Sequence, residues 1–172
     1  MNNERLKISI ITVVKNGMPF LKSAVKSFKL QDYTNKELII VYAQSKDETE
    51  SYLNSLNDEN IKIKKDENSK TKFGSINIGI KLSSGEIFGL LHSDDVFYNK
   101  NTLTEISKNF EDKINCLYGN VLFSKVNNIS KINRIWISGK FKKENLKFGW
   151  MPPHTSIFLR KNFIINNKEI YN

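Results

Sequence analysis

Two adjacent aspartates, Asp94 and Asp95, are the residues of this sequence best suited to chemistry. They follow an apolar run directly, in the stretch GEIFGLLHSDDVFY (85–98). Two carboxylates side by side at the end of a buried strand repel each other and are costly to remove from water. A divalent cation with oxygen ligands would offset that repulsion and would also neutralise phosphate charge. A solvated acidic turn is the other interpretation, and the pair alone does not decide between the two.

The elements around this pair alternate between strand-like and helix-like patterns. Strands are predicted at 7–14, at 37–43, in NIKIKKD and in EIFGLLH. Helices are predicted in NGMPFLKSAVKSFKLQ, in SKDETESYLNSL with Ser45 as N-cap, in GSINIGIKLSSG and in NTLTEISKNFED. Such alternation indicates an α/β fold with a Rossmann-like, mainly parallel sheet and helices on both faces.

The pattern loosens after residue 113 into a less regular C-terminal part. INCLYGNVLFSKV and ISKINRIWISGKF predict an antiparallel strand pair, and Cys116 is expected to be buried in its strand. A short helix is predicted in KKENLKFG, and WMPPHTSIFLRK is expected to form a loop that leads into another strand.

Ligands of open parallel sheets collect beyond the carboxyl ends of the strands. Asp94 and Asp95 stand at such an end, as do residues 12–16 after the first strand and 42–47 after the second. The sequence has neither a GxGxxG loop after the first strand nor a Walker pattern. Because there is no amide cradle for a diphosphate, a divalent cation held by carboxylates is the natural substitute.

Length and composition set the class of protein. A chain of 172 residues fits one domain with a core of its own, and its single cysteine excludes an internal disulfide. No apolar run reaches the roughly 20 residues that span a bilayer, and no signal-peptide pattern precedes the first strand. We therefore expect a cytoplasmic protein.

The net charge of +9 is unevenly distributed. Residues 1–112 hold 16 basic and 16 acidic side chains, whereas residues 113–172 hold 11 basic and 2 acidic ones. The basic part is either a compositional bias toward lysine or a face turned toward phosphates, nucleic acid or an anionic membrane. Few of these residues are arginine and no nucleic-acid motif is present, so no nucleic-acid partner is expected.

The chain resembles a family 2 glycosyltransferase with the GT-A fold, of the bacterial polysaccharide-assembly type. The resemblance runs in order through ISIITVVKNG, LKSAVKSFKLQDYTNKELIIVYAQSKDET, INIGIKLSSGEIFGLLHSDDVFY, LYGN and MPPHTSIFLRKN. It implies an inverting transfer of a sugar from a nucleotide-diphosphate donor to a hydroxyl of a saccharide or lipid-linked saccharide acceptor. It also implies a single GT-A domain over 1–172, with a nucleotide-sugar-binding half at 1–112 and an acceptor-side half, expected to be incomplete, at 113–172.

The resemblance also assigns roles to residues. It places around the nucleotide-sugar Thr12, Val14, Asn16, Tyr42, Asn77 and Asp94. It implies a DXD-like site for Mn²⁺ or Mg²⁺ whose ligands are Asp95, Asp94 and His154. Gly79, with Asn77, matches the family's short helix beside the donor.

Three features depart from the family pattern. Tyr42 stands where the family usually has an aspartate that reads the uracil edge, and Ser69 and Gly74 occupy positions that are often acidic. The family's general base lies beyond the His-containing segment, and the sequence ends at FIINNKEIYN, so the catalytic base is unknown. A GT-A-fold binding module, or an inactive fragment without the base, is therefore the alternative.

A membrane-facing surface is expected in the basic part. By resemblance, relatives act on lipid-linked acceptors at the inner membrane face. The stretch GKFKKENLKFGW (139–150) alternates four lysines with Phe141, Leu146, Phe148 and Trp150. Lysines attract anionic lipid and apolar side chains enter the interface, so weak peripheral binding is predicted.

Overall fold

A computed structural model of the chain describes residues 6–69, 71–126 and 128–165. The strands are β1 (Ile8–Val14), β2 (Lys36–Tyr42), β3 (Ile61–Lys65), β4 (Ile87–Leu90), β5 (Cys116–Tyr118), β6 (Val121–Lys125), β7 (Asn128–Trp136) and β8 (Ile157–Arg160). The α-helices are α1 (Phe20–Lys29), α2 (Thr49–Asn54), α3 (Lys72–Leu82), α4 (Thr102–Asn109) and α5 (Lys161–Ile165), and two 3-10 helices cover Lys143–Phe148 and His154–Ser156.

The main sheet has six strands in the order β3-β2-β1-β4-β8-β5. Strands β3, β2, β1 and β4 are parallel, as the alternating pattern predicted. Strand β8 is antiparallel to both of its neighbours, β4 and β5. The C-terminal part thus returns to the main sheet and extends it beyond β4, next to the predicted acid pair.

The two faces of the sheet carry separate hydrophobic clusters because side chains alternate along each strand. One cluster packs helix α1 against alternate residues of β1 and β2, among them Ile8, Ile10, Leu38 and Ile40. The other packs helix α3, through Ile76 and Ile80, against the intervening residues Ile11, Ile39 and Val41. Helices on both faces of a mainly parallel sheet confirm the predicted α/β class.

Gly79 lets helix α3 approach β1 closely. A Cβ at this position would lie 2.5 Å from Cγ2 of Ile11, well inside van der Waals contact. Gly79 therefore sets the distance between α3 and the sheet, and with it the position of the first turn of α3 at the carboxyl edge.

A buried carboxylate fixes the opposite edge of the sheet. Oε1 of Glu37 accepts hydrogen bonds from Oγ of Ser9 (2.6 Å) and from the backbone N–H of Ser84 (2.6 Å). Its Oε2 lies 2.7 Å from Nζ of Lys62. Burial alone would raise the pKa of Glu37, but the hydrogen bonds from Lys62 and the two serines outweigh it and lower the pKa to about 2.

Three local predictions are corrected. Helix α2 begins at Thr49, so Ser45 is not its N-cap; the Ser45 hydroxyl instead donates to the carbonyl of Ala43 (3.0 Å). Cys116 is exposed rather than buried, because β5 is an edge strand. The predicted antiparallel pair is β6–β7, and β5 belongs to the main sheet instead of continuing into it.

The β6–β7 pair forms a separate two-stranded sheet with a largely exposed surface. The short helix predicted in KKENLKFG is the 3-10 helix Lys143–Phe148. Trp150 packs beside it: its Nε1–H donates to the carbonyl of Ser138 (2.9 Å), and its ring lies against Tyr118 and Phe141. Within the described ranges no helix is long and apolar enough to cross a bilayer.

Candidate functional site

The loops that follow β1 and β2 are joined at the carboxyl edge by side-chain hydrogen bonds. Asn16, with a φ of 53°, accepts a hydrogen bond at Oδ1 from the backbone N–H of Lys46 (2.7 Å), and its own N–H donates to Oγ of Ser45 (3.0 Å). Asp47 accepts at Oδ2 from the N–H of Met18 (2.9 Å). These bonds hold the two loops together at the carboxyl edge of the sheet.

Thr12 and Val14 lie in β1, directly before the first of these two loops. Thr12 is buried, and its hydroxyl donates to the carbonyl of Leu91 (2.7 Å), which ties the end of β1 to the end of β4. Val14 is buried as well, and its carbonyl accepts from the N–H of Ala43 (3.0 Å). A nucleoside contact by this segment stays a prediction, one that the backbone rather than the Thr12 hydroxyl would make.

The acid pair lies in a turn beyond β4. The N–H of Asp95 donates to the carbonyl of His92 (3.1 Å), so the chain reverses there. Asp94 is exposed, while Asp95 is partly buried. Burial and the negative charge of Asp94 raise the pKa of Asp95, and the positive charge of Lys72 acts in the opposite sense.

His92 joins the acid pair to helix α3. Its Nδ1 lies 3.7 Å from Oδ2 of Asp95, and its Nε2 lies 3.2 Å from Nζ of Lys72. The ring of His154 is close by, with 6.2 Å between the two imidazole centroids. Burial first, and then the charge of Lys72, lower the pKa of His92, so the imidazole is held toward its neutral form.

A compact loop between β3 and α3 determines where Lys72 stands. Asp66 is buried, and its Oδ1 accepts hydrogen bonds from the N–H of Asn68 (3.1 Å) and the N–H of Ser69 (2.8 Å). Its Oδ2 accepts from Oγ of Ser75, in the first turn of α3 (2.5 Å). The side chain of Thr71 caps the helix by accepting from the N–H of Gly74 (3.1 Å).

Tyr42 ends β2 at the same edge. It is partly buried and pairs with Val14 across the β1–β2 ladder. Nζ of Lys65 lies 6.0 Å from the centre of the Tyr42 ring, at the outer limit of a cation–π contact. The phenol therefore lies at the carboxyl edge of the sheet, where it can stack on a base or form one hydrogen bond.

The predicted site residues lie in β1, at or beyond the carboxyl edge of the sheet, or on α3, and their roles stay predictions. Asp94, Asp95, His154, Tyr42 and Asn16 all lie in loops or strand ends at or beyond the carboxyl edge, and Asn77 is partly buried on α3. Two residues of the cluster were missed as site residues: Lys72 and His92. The only sequence signal for His92 was its place two residues before Asp94. Lys72 carried no such signal, because its contact, His92, is 20 residues away in the sequence.

The acid pair offers carboxylate oxygens, the kind of ligand that a hard divalent cation prefers. In the described portions of the chain, no three His, Cys, Asp or Glu side chains are grouped so that they could hold a metal ion together. Two carboxylates without a third protein ligand are the arrangement that Mg²⁺ takes when substrate phosphates and water complete its shell. The raised pKa of Asp95 agrees, since a cation would relieve the repulsion from Asp94. His154 as a third ligand stays a prediction.

Comparison with protein families identifies the wider group. The family described as "Glycosyl transferase family 2" matches residues 9–167. A "UDP-Glc:alpha-D-GlcNAc-diphosphoundecaprenol beta-1,3-glucosyltransferase WfgD" of Escherichia coli is 28% identical over 127 residues, which are 74% of this chain and 49% of that protein. A "GalNAc(5)-diNAcBac-PP-undecaprenol beta-1,3-glucosyltransferase" of Campylobacter jejuni is 31% identical over 128 residues, 73% of this chain and 41% of that one. The chain spans about half the length of the relatives it matches.

Solved structures show the same fold. TarS 1-349 of S. aureus in complex with UDP-GlcNAc superimposes with a TM-score of 0.69 at 21% identity, covering 95% of this chain and 48% of that one. Mannosyltransferase PcManGT of Pyrobaculum calidifontis, in complex with GDP-Man and Mn²⁺, gives a TM-score of 0.71 at 13% identity, covering 97% and 48%. The sheet and its flanking helices therefore form a GT-A-like fold. By its family match over nearly the whole sequence, the chain belongs to glycosyl transferase family 2.

Proposed function

We propose that this chain binds a nucleotide-sugar donor and transfers its sugar, with inversion, to a hydroxyl of a lipid-linked saccharide during assembly of a cell-surface polysaccharide. The observation that carries the proposal is the acid pair Asp94–Asp95 at the carboxyl edge of β4, beside Lys72 and two histidines. The two relatives named above, whose names describe undecaprenol-linked acceptors, support the acceptor class.

Asp95 and Asp94 would hold a divalent cation, Mg²⁺ or Mn²⁺, and Asp94 would also reach the ribose. When bound, such an ion supplies positive charge to the diphosphate that leaves. The acceptor oxygen forms a bond to the anomeric carbon as the bond from that carbon to the diphosphate oxygen breaks, which inverts the configuration. The hydroxyl proton passes to a general base that has no assigned residue in this chain.

We assign the donor to the first part of the chain. Residues 1–112 would contribute the joined loops after β1 and β2 and the acid pair. Residues 113–172 would form the acceptor side. The nucleoside would bind at the carboxyl edge, against Tyr42, Asn16 and the backbone of Thr12 and Val14. Asn77 on α3 would lie beside the donor.

The acceptor side would face the inner leaflet of the cytoplasmic membrane. Around the 3-10 helix Lys143–Phe148, the side chains of Phe148 (87% exposed), Phe141 (57%) and Leu146 (51%) lie open to solvent among lysines. Exposed apolar side chains interleaved with basic ones suit a peripheral contact with anionic lipid.

Calorimetry tests the donor part of the proposal. UDP, GDP, CDP and dTDP are titrated into the chain with Mn²⁺, with Mg²⁺ and with EDTA. We expect at least one nucleoside diphosphate to bind, and to bind more tightly with metal. Absence of binding by all four under every condition would contradict the proposal.

A GT-A-fold binding module without turnover is the second candidate. The phenol of Tyr42 at the end of β2, where the family usually has a carboxylate, favours it. Release of free nucleoside diphosphate from a nucleotide-sugar, measured with and without an acceptor saccharide, separates the two. Binding without any release would favour the module.

A further inference from the structure

Lys72 places a positive charge near the acid pair but forms no ion pair with either aspartate. Its Nζ lies 3.2 Å from Nε2 of His92. Among the residues that the structure describes, Lys72 forms no ion pair with a carboxylate within 4.0 Å, whereas Lys62 and Lys29 both do. Lys72 is exposed, so it is accessible to a ligand in solution.

The ammonium has capacity for a ligand. A lysine carries three N–H donors and no acceptor, and one donor is used on His92. Two donors therefore remain, together with the full charge. A second imidazole is near, since the ring of His154 lies 6.2 Å from that of His92, centroid to centroid. Three nitrogen-bearing side chains converge here from three different elements.

Hydrogen bonds at the start of α3 fix the backbone position of Lys72. It is the first residue of α3, whose start is fixed by the Thr71 cap and by the hydrogen bond from Ser75 to Asp66. Gly79 holds the same helix against β1. The backbone from which the Lys72 side chain extends is therefore fixed in position near the end of β4.

We propose that Lys72 binds the diphosphate of the nucleotide-sugar and stabilises the charge that develops on the leaving nucleoside diphosphate. This inference rests on the proposed function and adds to it a charge that does not depend on metal. Asp94 and Asp95 would bind the diphosphate only through a cation, whereas Lys72 would contact phosphate oxygens directly as a point charge. Diphosphate binding should therefore persist, more weakly, when metal is removed.

The competing interpretation is that Lys72 only offsets the charge of Asp95. The two interpretations differ when metal is absent. A lysine that contacts phosphate contributes to diphosphate affinity in EDTA, whereas a lysine that serves only Asp95 does not.

The test is calorimetry of inorganic pyrophosphate and of the tightest-binding nucleoside diphosphate, each with Mn²⁺ and with EDTA. Lys72→Met keeps the length of the side chain and removes its charge, and Lys72→Arg keeps the charge. Lys81→Met is the matched control, because Lys81 is an exposed lysine in the last turn of the same helix. Circular dichroism and the melting temperature verify that each variant is folded.

We expect Lys72→Met to weaken both ligands about tenfold in EDTA, the loss of one charge-assisted hydrogen bond. Lys72→Arg should recover most of that loss, and Lys81→Met should match the wild type. If the wild type binds and Lys72→Met binds equally well in EDTA, the role of Lys72 is wrong while the proposed function stands. If the wild type binds neither ligand under any condition, the proposed function fails and Lys72 loses its role with it.

Discussion

Nδ1 of His92 lies 3.7 Å from Oδ2 of Asp95, and this contact joins the acid pair to the end of β4 from which it projects. The sequence separation is only three residues, and the turn that creates the contact is closed by the N–H of Asp95 on the carbonyl of His92. The carboxylate lies beside the imidazole, and the Asp95 side chain is still 42% exposed to solvent. Burial and the charge of Asp94 raise the pKa of Asp95, so the ionised form is less favourable here than in water.

Replacing Asp95 by Asn should weaken metal-dependent binding of a nucleoside diphosphate. The variant should lose most of the metal dependence of nucleoside-diphosphate binding, about tenfold or more in affinity with Mn²⁺, because a charged ligand is removed. Asp94→Asn, at the exposed position, should lose less. Calorimetry with Mn²⁺ and with EDTA measures both, and identical metal dependence in wild type and Asp95→Asn would exclude Asp95 as a ligand.

The same variant should raise the melting temperature of the metal-free protein. Burial and Asp94 raise the pKa of Asp95 above its unfolded value, so its ionised form at neutral pH is less favourable in the folded state than in the unfolded one. An amide removes that cost. Thermal unfolding at pH 7 in EDTA checks the sign, and a lower melting temperature for Asp95→Asn than for wild type would show that its charge is well solvated.

Tyr42 should influence which base is bound. A phenol can stack on a base, and its oxygen can donate or accept a hydrogen bond, but it is a weaker acceptor for a uracil N–H than a charged carboxylate. We expect Tyr42→Ala to change the ranking of UDP, GDP, CDP and dTDP in a binding panel. Tyr42→Phe, which keeps the ring, should retain the wild-type ranking if stacking dominates. A strong UDP preference that survives Tyr42→Ala would remove Tyr42 from base choice.

Glu37 should make folding stability depend on pH in the acid range. Its pKa is about 2 in the folded protein against 4.5 ordinarily, so its contribution is complete above pH 4.5 and is lost as the pH falls toward 2. The shift corresponds to about 3 kcal/mol. We expect Glu37→Gln to destabilise the protein by about that much at pH 7, measured by urea unfolding.

The control for Glu37 is Glu59→Gln, because Glu59 is exposed. The difference in unfolding free energy between wild type and Glu37→Gln should shrink between pH 4.5 and pH 2. A constant difference over that range would mean that packing, not charge, explains the role of Glu37.

The basic C-terminal part should bind anionic vesicles weakly. Each lysine near an anionic bilayer contributes about 1 kcal/mol, and the attraction fades with salt as the Debye length falls to about 8 Å at physiological ionic strength. Changing Lys140, Lys142, Lys143 and Lys147 to Gln should abolish co-sedimentation at low salt. Phe148→Ser should weaken it, since Phe148 is 87% exposed.

The matched control for the vesicle experiment changes four exposed lysines elsewhere, Lys26, Lys64, Lys81 and Lys100, to Gln. This variant has the same net charge and should still bind. Equal binding to neutral and anionic vesicles, or equal loss in both quadruple variants, would show that the membrane contact is not a property of this surface.

The parts of this protein that depend on local periodicity could be predicted from its sequence. Buried runs such as 8–14 and 36–42 must pair as strands, and the amphipathic stripe of 20–29 must cover them, so the α/β class was predictable. The place of the acid pair followed from its position after a buried strand. The same reasoning placed Ser45 wrongly, because hydrogen bonds between the loops after β1 and β2 moved the start of α2 to Thr49.

Which residues meet at the carboxyl edge depends on how distant elements pack, and the sequence pattern did not predict it. Strand β8 inserts antiparallel between β4 and β5, and this brings His154 beside His92, 62 positions away in the sequence. Lys72 reaches the same point because the Asp66 hydrogen bonds and Gly79 fix the start of α3. Neither contact leaves a trace in local periodicity, since each depends on the packing of elements far apart in the chain. The charges that surround the acid pair are therefore a property of the fold.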